Sequence, residues 1–85
     1  MIQKSVQIKL ESGLEARPIA MLVQVASKYD SSVYIESADK KVNAKSIMGM
    51  MGLGLDRDDT VTIIADGKDE AAAVAGIEDF LGGNQ

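Results

Sequence analysis

The chain has no cysteine and no histidine among its 85 residues. Without cysteine it forms no disulfide and carries out no thiolate chemistry. Without histidine as well, a nitrogen–sulfur metal site has no ligands, and a serine nucleophile has no imidazole base. These absences exclude the common zinc sites and the Ser-His-Asp hydrolases, and we expect no metal and no cofactor.

Charge and hydropathy exclude two further classes. The net charge of −4 argues against nucleic-acid binding, because phosphate contacts require a basic stripe that this sequence does not have. The sequence contains no apolar run of about eighteen residues that could cross a membrane and no hydrophobic segment of a signal peptide. We expect a soluble, cytoplasmic protein with a single domain over residues 1–85.

The hydrophobic pattern of the first third changes period once. Apolar and polar residues alternate from Val6 to Glu11, which predicts a half-buried strand that ends at Ser12 and Gly13. After Ala16 the apolar residues take helical spacing, so we predict a helix that ends near residues 28–30. Its apolar stripe consists of Ile19, Leu22, Val23 and Ala26.

The rest of the chain adds three strands and two helices. We predict strands around 33–35, 41–43 and 60–65, the first two joined by a hairpin turn at Ala38 and Asp39. A short helix follows Ser46 as far as about Leu53, and a longer one covers 69–81, with apolar residues Ala73, Val74, Ile77, Phe80 and Leu81. The order β-α-β-β-α-β-α indicates an α+β sandwich, an antiparallel sheet with helices on one face.

Glu15 and Arg17 stand where the first predicted helix begins. A helix N-terminus presents unpaired N–H groups that favour an anion, and a guanidinium is suited to carboxylate or phosphate. Two interpretations remain from the residues alone. Glu15 is a capping acid beside a surface arginine, or the pair belongs to a phosphate-handling site.

Ser46 precedes a methionine-rich stretch that includes Ile47, Met48, Met50 and Met51. A short helix cannot bury all of these side chains, so we expect some to form an exposed partner-binding surface; filling of the core by methionine is the alternative. Ser46 itself suits either an N-cap or a phosphoacceptor whose phosphate would meet free helical N–H groups.

Three stretches together resemble the HPr family, the small phosphocarriers of the bacterial phosphoenolpyruvate-dependent sugar phosphotransferase system. They are GLEARP at 13–18, KVNAKSIMGMMGLG at 41–54 and TIIADGKDEAAAV at 62–74, and the resemblance covers essentially the whole chain. It implies an open-faced β-sandwich in which three helices cover one face of a four-stranded antiparallel sheet, the middle helix being short.

The first motif departs from the family pattern, Gly-(Leu/Ile)-His-Ala-Arg-Pro, at one position. In the family, the histidine accepts phosphate from enzyme I and passes it to sugar-specific IIA domains. Glu15 stands at that position here, while the other residues of GLEARP match. The resemblance therefore implies a degenerate phosphohistidine site at Glu15. Our hypothesis, from charge and position alone, is that Glu15 with Arg17 imitates the phosphorylated form. We expect enzyme I and IIA domains to interact by docking only.

The second motif is intact. In Gram-positive relatives the matching serine is phosphorylated by the bifunctional HPr kinase/phosphorylase, and the product is a corepressor of a LacI-type catabolite control protein. The resemblance implies that Ser46 is a phosphosite and that the docking surface consists of Ala16, Arg17, Ala20, Ile47, Met48 and Met51. The Crh branch of the family (catabolite repression HPr) also keeps this serine, but has glutamine at the histidine position.

We therefore predict a non-enzymatic, HPr-like regulatory protein of carbon catabolite repression. Two alternatives remain. The first is a phosphocarrier proper, either one that carries an acyl phosphate on Glu15 or a natural HPr that has been altered at position 15. The second is a small-molecule binding module of similar topology, which would need an apolar pocket with convergent polar groups.

Overall fold

Four strands and three helices form across residues 1–10 and 16–82, the part of the chain that the structure, a computed structural model, describes. The predicted order βαββαβα is confirmed. The elements are β1 (Ile2–Gln7), α1 (Ala16–Ser27), β2 (Ser32–Ser37), β3 (Lys40–Asn43), α2 (Ile47–Met51), β4 (Thr60–Asp66) and α3 (Glu70–Leu81).

The strands form one antiparallel sheet in the order β1-β4-β2-β3. β4 has a neighbour on each side, which explains why its sequence is a nearly continuous run of β-branched and apolar residues. The hairpin between β2 and β3 turns at Ala38 and Asp39, since Ser37 pairs with Lys40. Ala38 has a φ of 54°, which lets a two-residue loop reverse the chain.

The helices cover one face of this sheet, so the predicted α+β open-faced sandwich is confirmed. α3 packs on β1 and β4, α1 packs between α3 and α2, and α2 contacts β3. In α1, three of the four predicted stripe residues are buried and Val23 is partly buried; in α3 all five predicted residues are buried. The apolar periodicity therefore identified the faces that form the core.

The predicted bounds of β1 and α2 differ from the structure because tertiary contacts decide them. The strand predicted from Val6 begins at Ile2, since its first residues pair with β4. β1 ends at Gln7, although Ile8 and Leu10 are buried as the alternation predicts. Beyond β1 the backbone bonds to other partners, with Ile8 N donating to Asp59 O (2.9 Å) and Lys9 N to Leu81 O (2.7 Å). α2 ends at Met51, before the predicted Leu53, and Gly54 soon afterwards has a φ of 60°.

Asp69 joins the loop after α1 to the start of α3. It is the N-cap residue of α3, but its carboxylate accepts hydrogen bonds from Asp30 N (2.8 Å), Ser31 N (2.9 Å) and the Ser31 hydroxyl instead of capping its own helix. The Ser31 hydroxyl and then the backbone N–H of Asp30 hold the pKa of Asp69 below its usual value. Two segments far apart in sequence are thereby tied together.

Candidate functional site

Ser46 is held in the turn that leads from β3 into α2. Its backbone N donates to Asn43 O (3.0 Å), and the Asn43 side chain accepts from Lys45 N (2.8 Å). Its hydroxyl oxygen accepts from Gly49 N at 3.2 Å, which makes Ser46 the N-cap of α2 as predicted. Ser46 is half-buried, and its hydroxyl is oriented by the hydrogen bond from Gly49 N.

The side chains after Ser46 separate into one anchor and one exposed surface. Met50 is fully buried, with 0% of its area accessible, and belongs to the core. Ile47 (46%), Met48 (85%) and Met51 (53%) are exposed. We call these three residues the α2 patch. Both interpretations of the methionines therefore apply, each to different residues: Met50 fills the core, and the others form an apolar surface.

The predicted contributions from α1 lie on the helix beside this patch. Arg17 is exposed and Ala20 is half-buried, and α1 packs against α2. Glu15 and the side chain of Ala16 lie outside the described residues, so the geometry of the Glu15–Arg17 pair remains a prediction.

Lys45 has a role that its sequence position did not indicate. Its ammonium donates to the backbone oxygen of Tyr29 at 2.7 Å, just beyond the C-terminal end of α1. Carbonyl groups at a helix C-terminus lack partners within the helix and favour a cation. Lys45 thus ties the residue next to Ser46 to the end of α1.

Sequence reasoning also missed Met21, which is 41% exposed on α1. Met21 lies two residues after Ile19, so it is not on the apolar stripe that faces the core. An apolar residue at such a position indicates a second apolar surface on the helix. Met21 lines an open groove of about 370 Å³ between α1 and α3, together with Val25, Tyr29, Gly76 and Phe80 and with Gln24, Lys28 and Asp79. This groove is separate from the α2 patch.

The described part of the chain contains neither a metal-binding cluster nor a membrane-spanning helix. Within residues 1–10 and 16–82, no group of three or more histidine, cysteine, aspartate or glutamate side chains could hold a metal ion. No helix in those ranges is long and apolar enough to span a bilayer.

The arrangement as a whole places a serine hydroxyl beside an apolar surface at the edge of the sandwich. A carrier of phosphohistidine requires an imidazole, and the sequence contains none. Fold and site together define a small α+β module with a helix-capping serine directly before an exposed apolar surface.

Comparison with known proteins places this module in a family. The family model described as "PTS HPr component phosphorylation site" matches residues 2–82. The HPr-like protein Crh of Halalkalibacterium halodurans is 46% identical over 81 residues, which are 95% of this chain and 96% of that protein. The HPr-like protein Crh of Bacillus subtilis is 49% identical over 74 residues, 87% of each chain.

A solved structure agrees with the sequence match. HPr-C-His from Thermoanaerobacter tengcongensis has a TM-score of 0.93 and 43% identity, covering 99% of this chain and 94% of that one. The chain therefore belongs to the HPr family. The resemblance inferred from the three motifs is confirmed, and the two relatives described above carry the name Crh.

Proposed function

We propose that this chain is a non-enzymatic, HPr-like regulatory protein of the sugar phosphotransferase system and carbon catabolite repression. HPr kinase/phosphorylase phosphorylates Ser46, and the phosphorylated chain docks to a LacI-type catabolite control protein. The docking surface combines the α2 patch (Ile47, Met48, Met51) with Ala16, Arg17 and Ala20 on α1. Enzyme I and IIA domains interact by docking only.

One observation carries this proposal: the Ser46 hydroxyl is fixed at the start of α2, directly before three exposed apolar side chains. Phosphorylation would add about two negative charges at the rim of an apolar surface that is already formed. The modification therefore changes the charge of the docking surface without requiring a new fold. Both named relatives are HPr-like proteins called Crh, which supports a regulatory role over a carrier role.

The loss of the carrier activity follows from position 15. Glu15 replaces the histidine of the family motif, two residues before Arg17. A carboxylate can form an acyl phosphate, but enzyme I and IIA domains are adapted to an imidazole nitrogen. Glu15 instead supplies a permanent negative charge at the place of the phosphorylated group.

Phosphotransfer with two donors in parallel tests the assignment. One arm contains ATP and HPr kinase/phosphorylase, the other contains phosphoenolpyruvate and enzyme I, and intact mass reports each product. We expect an added phosphate only in the kinase arm, and none there for Ser46→Ala. If the chain gained phosphate from phosphoenolpyruvate and Glu15→Ala did not, Glu15 would be a working phosphate carrier, and the proposal would be overturned.

Binding to the catabolite control protein tests the second half of the mechanism. The kinase-treated chain should bind it, and kinase-treated Ser46→Ala should bind much more weakly because it carries no phosphate. Equal affinity of the two proteins would refute phosphoserine-gated docking, even if Ser46 were labelled efficiently.

A further inference from the structure

The methionines differ sharply in their access to solvent. Met48 is 85% exposed and Met51 53% exposed, whereas Met50, between them in sequence, is fully buried. Met1 and Met21 are exposed as well, but both lie outside α2. Met1 directly precedes β1, and Met21 is on α1. α2 thus combines the chain's most exposed thioether with a fully protected one.

The arrangement on α2 separates surface chemistry from the integrity of the fold. Met48 and Met51 are three residues apart, so their side chains are neighbours on one side of the helix. Met50 holds the helix to the core from another side. A change at the two exposed sulfurs would alter the α2 patch while the buried anchor stays intact.

We propose that Met48 and Met51 are an oxidation-sensitive pair, and that hydrogen peroxide converts them to methionine sulfoxide and thereby switches off docking. A sulfur lone pair attacks one peroxide oxygen, the O–O bond breaks and an S–O bond forms. The departing hydroxide takes the proton from the oxygen that is now bound to sulfur, which gives the sulfoxide and one molecule of water. Each sulfur is oxidised by two electrons, the peroxide is reduced, and no other co-reactant is required.

The consequence for docking follows from the polarity of the product. A sulfoxide is a polar hydrogen-bond acceptor, and an interface that covers it without supplying a donor loses affinity. Two of the three residues of the α2 patch carry the reactive sulfur, so oxidation changes most of the surface at once. Thiol-dependent sulfoxide reductases reverse the reaction, which makes the change a switch. This inference rests on the proposed function, because it requires the α2 patch to be the surface that the regulator covers.

The first stage of the test measures the chemistry without any partner. The Ser46-phosphorylated chain is treated with dilute hydrogen peroxide and its peptides are mapped by mass. We expect Met48 to be oxidised first, Met51 more slowly and Met50 last, with an unchanged far-ultraviolet circular dichroism spectrum. Oxidation of Met50 at the rate of Met48, or loss of the fold together with oxidation, would overturn the proposal.

The second stage measures affinity for the catabolite control protein before and after peroxide treatment. We expect oxidation to weaken binding by roughly tenfold or more, since a desolvated polar group is left unpaired. The double variant Met48→Leu/Met51→Leu is compared with itself before and after peroxide treatment. The ratio of its two affinities for the regulator should stay near one, because the reactive sulfurs of α2 are absent. Met21→Leu removes an exposed sulfur outside α2 and should lose affinity on treatment as the wild type does.

The two levels of the proposal fail differently. If the untreated phosphorylated chain does not bind the regulator, the docking function fails and this inference fails with it. If it binds and oxidation leaves its affinity unchanged, only the oxidation switch is refuted. A peroxide effect that persists in Met48→Leu/Met51→Leu would also refute it.

Discussion

At the residue scale, Ser46 combines two roles, and a substitution such as Ser46→Ala affects both of them at once. Its hydroxyl oxygen accepts from Gly49 N, and the same oxygen is the proposed phosphoacceptor. Removing the side chain therefore removes the helix cap as well as the modification. A variant that keeps the cap without a hydroxyl is needed to separate the effects.

We predict that Ser46→Ala lowers the free energy of unfolding by about 1 kcal/mol, because the N–H of Gly49 loses its acceptor. Ser46→Asn should unfold close to the wild type, since an asparagine amide oxygen caps a helix as well as a serine does. Neither variant should accept phosphate from the kinase. Urea unfolding followed by circular dichroism measures the stabilities, and equal midpoints for Ser46→Ala and wild type would mean that the cap contributes nothing.

The candidate site was predictable from sequence only in part, for reasons that differ by residue. Ser46 was identified because a serine before an apolar run signals a cap, and the structure has it there. The choice of Met50 as the anchor was not predictable, since three methionines in five residues look alike without the tertiary contacts of β3 and α1. Lys45 was missed because its partner, the backbone oxygen of Tyr29, is 16 residues away.

At the element scale, the close approach of two loops depends on a glycine. Gly67 has a φ of 156°, and a Cβ there would lie 2.7 Å from the Cα of Ser31. That backbone cannot move away easily, because Asp69 binds the Ser31 N–H. Gly67 therefore makes room for the connection between the α1–β2 loop and the start of α3.

We predict that Gly67→Ala lowers the free energy of unfolding by about 2–3 kcal/mol, through both overpacking and backbone strain. Gly54→Ala is the matched control. Gly54 also has a positive φ, of 60°, but a Cβ there would meet no atom within 4 Å. It should cost only about 1 kcal/mol, the strain of a left-handed residue. If both variants lost the same stability, the contact with Ser31 would not matter.

The elements themselves were more predictable than their ends. The stripes of α1 and α3 and the alternation that starts at Val6 are local patterns, and the predicted apolar residues in the described part of the chain are buried or partly buried. The end of β1 was not predictable, because hydrogen bonds of Ile8 and Lys9 to the 58–59 loop and to Leu81 decide it. Asp69 stands at the start of α3, and its sequence position does not reveal that its carboxylate binds another loop.

At the scale of the whole molecule, two neighbouring carboxylates link stability to pH. The Ser31 hydroxyl and then the Asp30 N–H lower the pKa of Asp69. The pKa of Glu70 is lowered first by the N–H of Gly67 and then by the N-terminal ammonium, 3.1 Å from its carboxylate. Unfolding removes these donors, so both groups bind protons more tightly in the unfolded chain.

The direction of the pH effect follows from these lowered pKa values. The stabilisation is complete above the unfolded-state pKa values of about 4 and is lost as the pH falls through the lower folded-state pKa values. We predict that the urea midpoint of the wild type falls between about pH 5 and about pH 2. Asp69→Asn should be less stable than the wild type at neutral pH and should lose less on acidification, so that the two curves converge in acid.

Ser31→Ala refines this test, because it keeps the carboxylate and removes only the first donor. Its curve should lie between those of the wild type and Asp69→Asn, since the N–H groups of Asp30 and Ser31 still bind Asp69. Circular dichroism at a series of pH values gives all three curves. If Asp69→Asn lost as much stability on acidification as the wild type, the acid sensitivity would not come from the hydrogen bonds of Asp69 to Asp30 and Ser31. The link between the α1–β2 loop and α3 would then rest on packing alone.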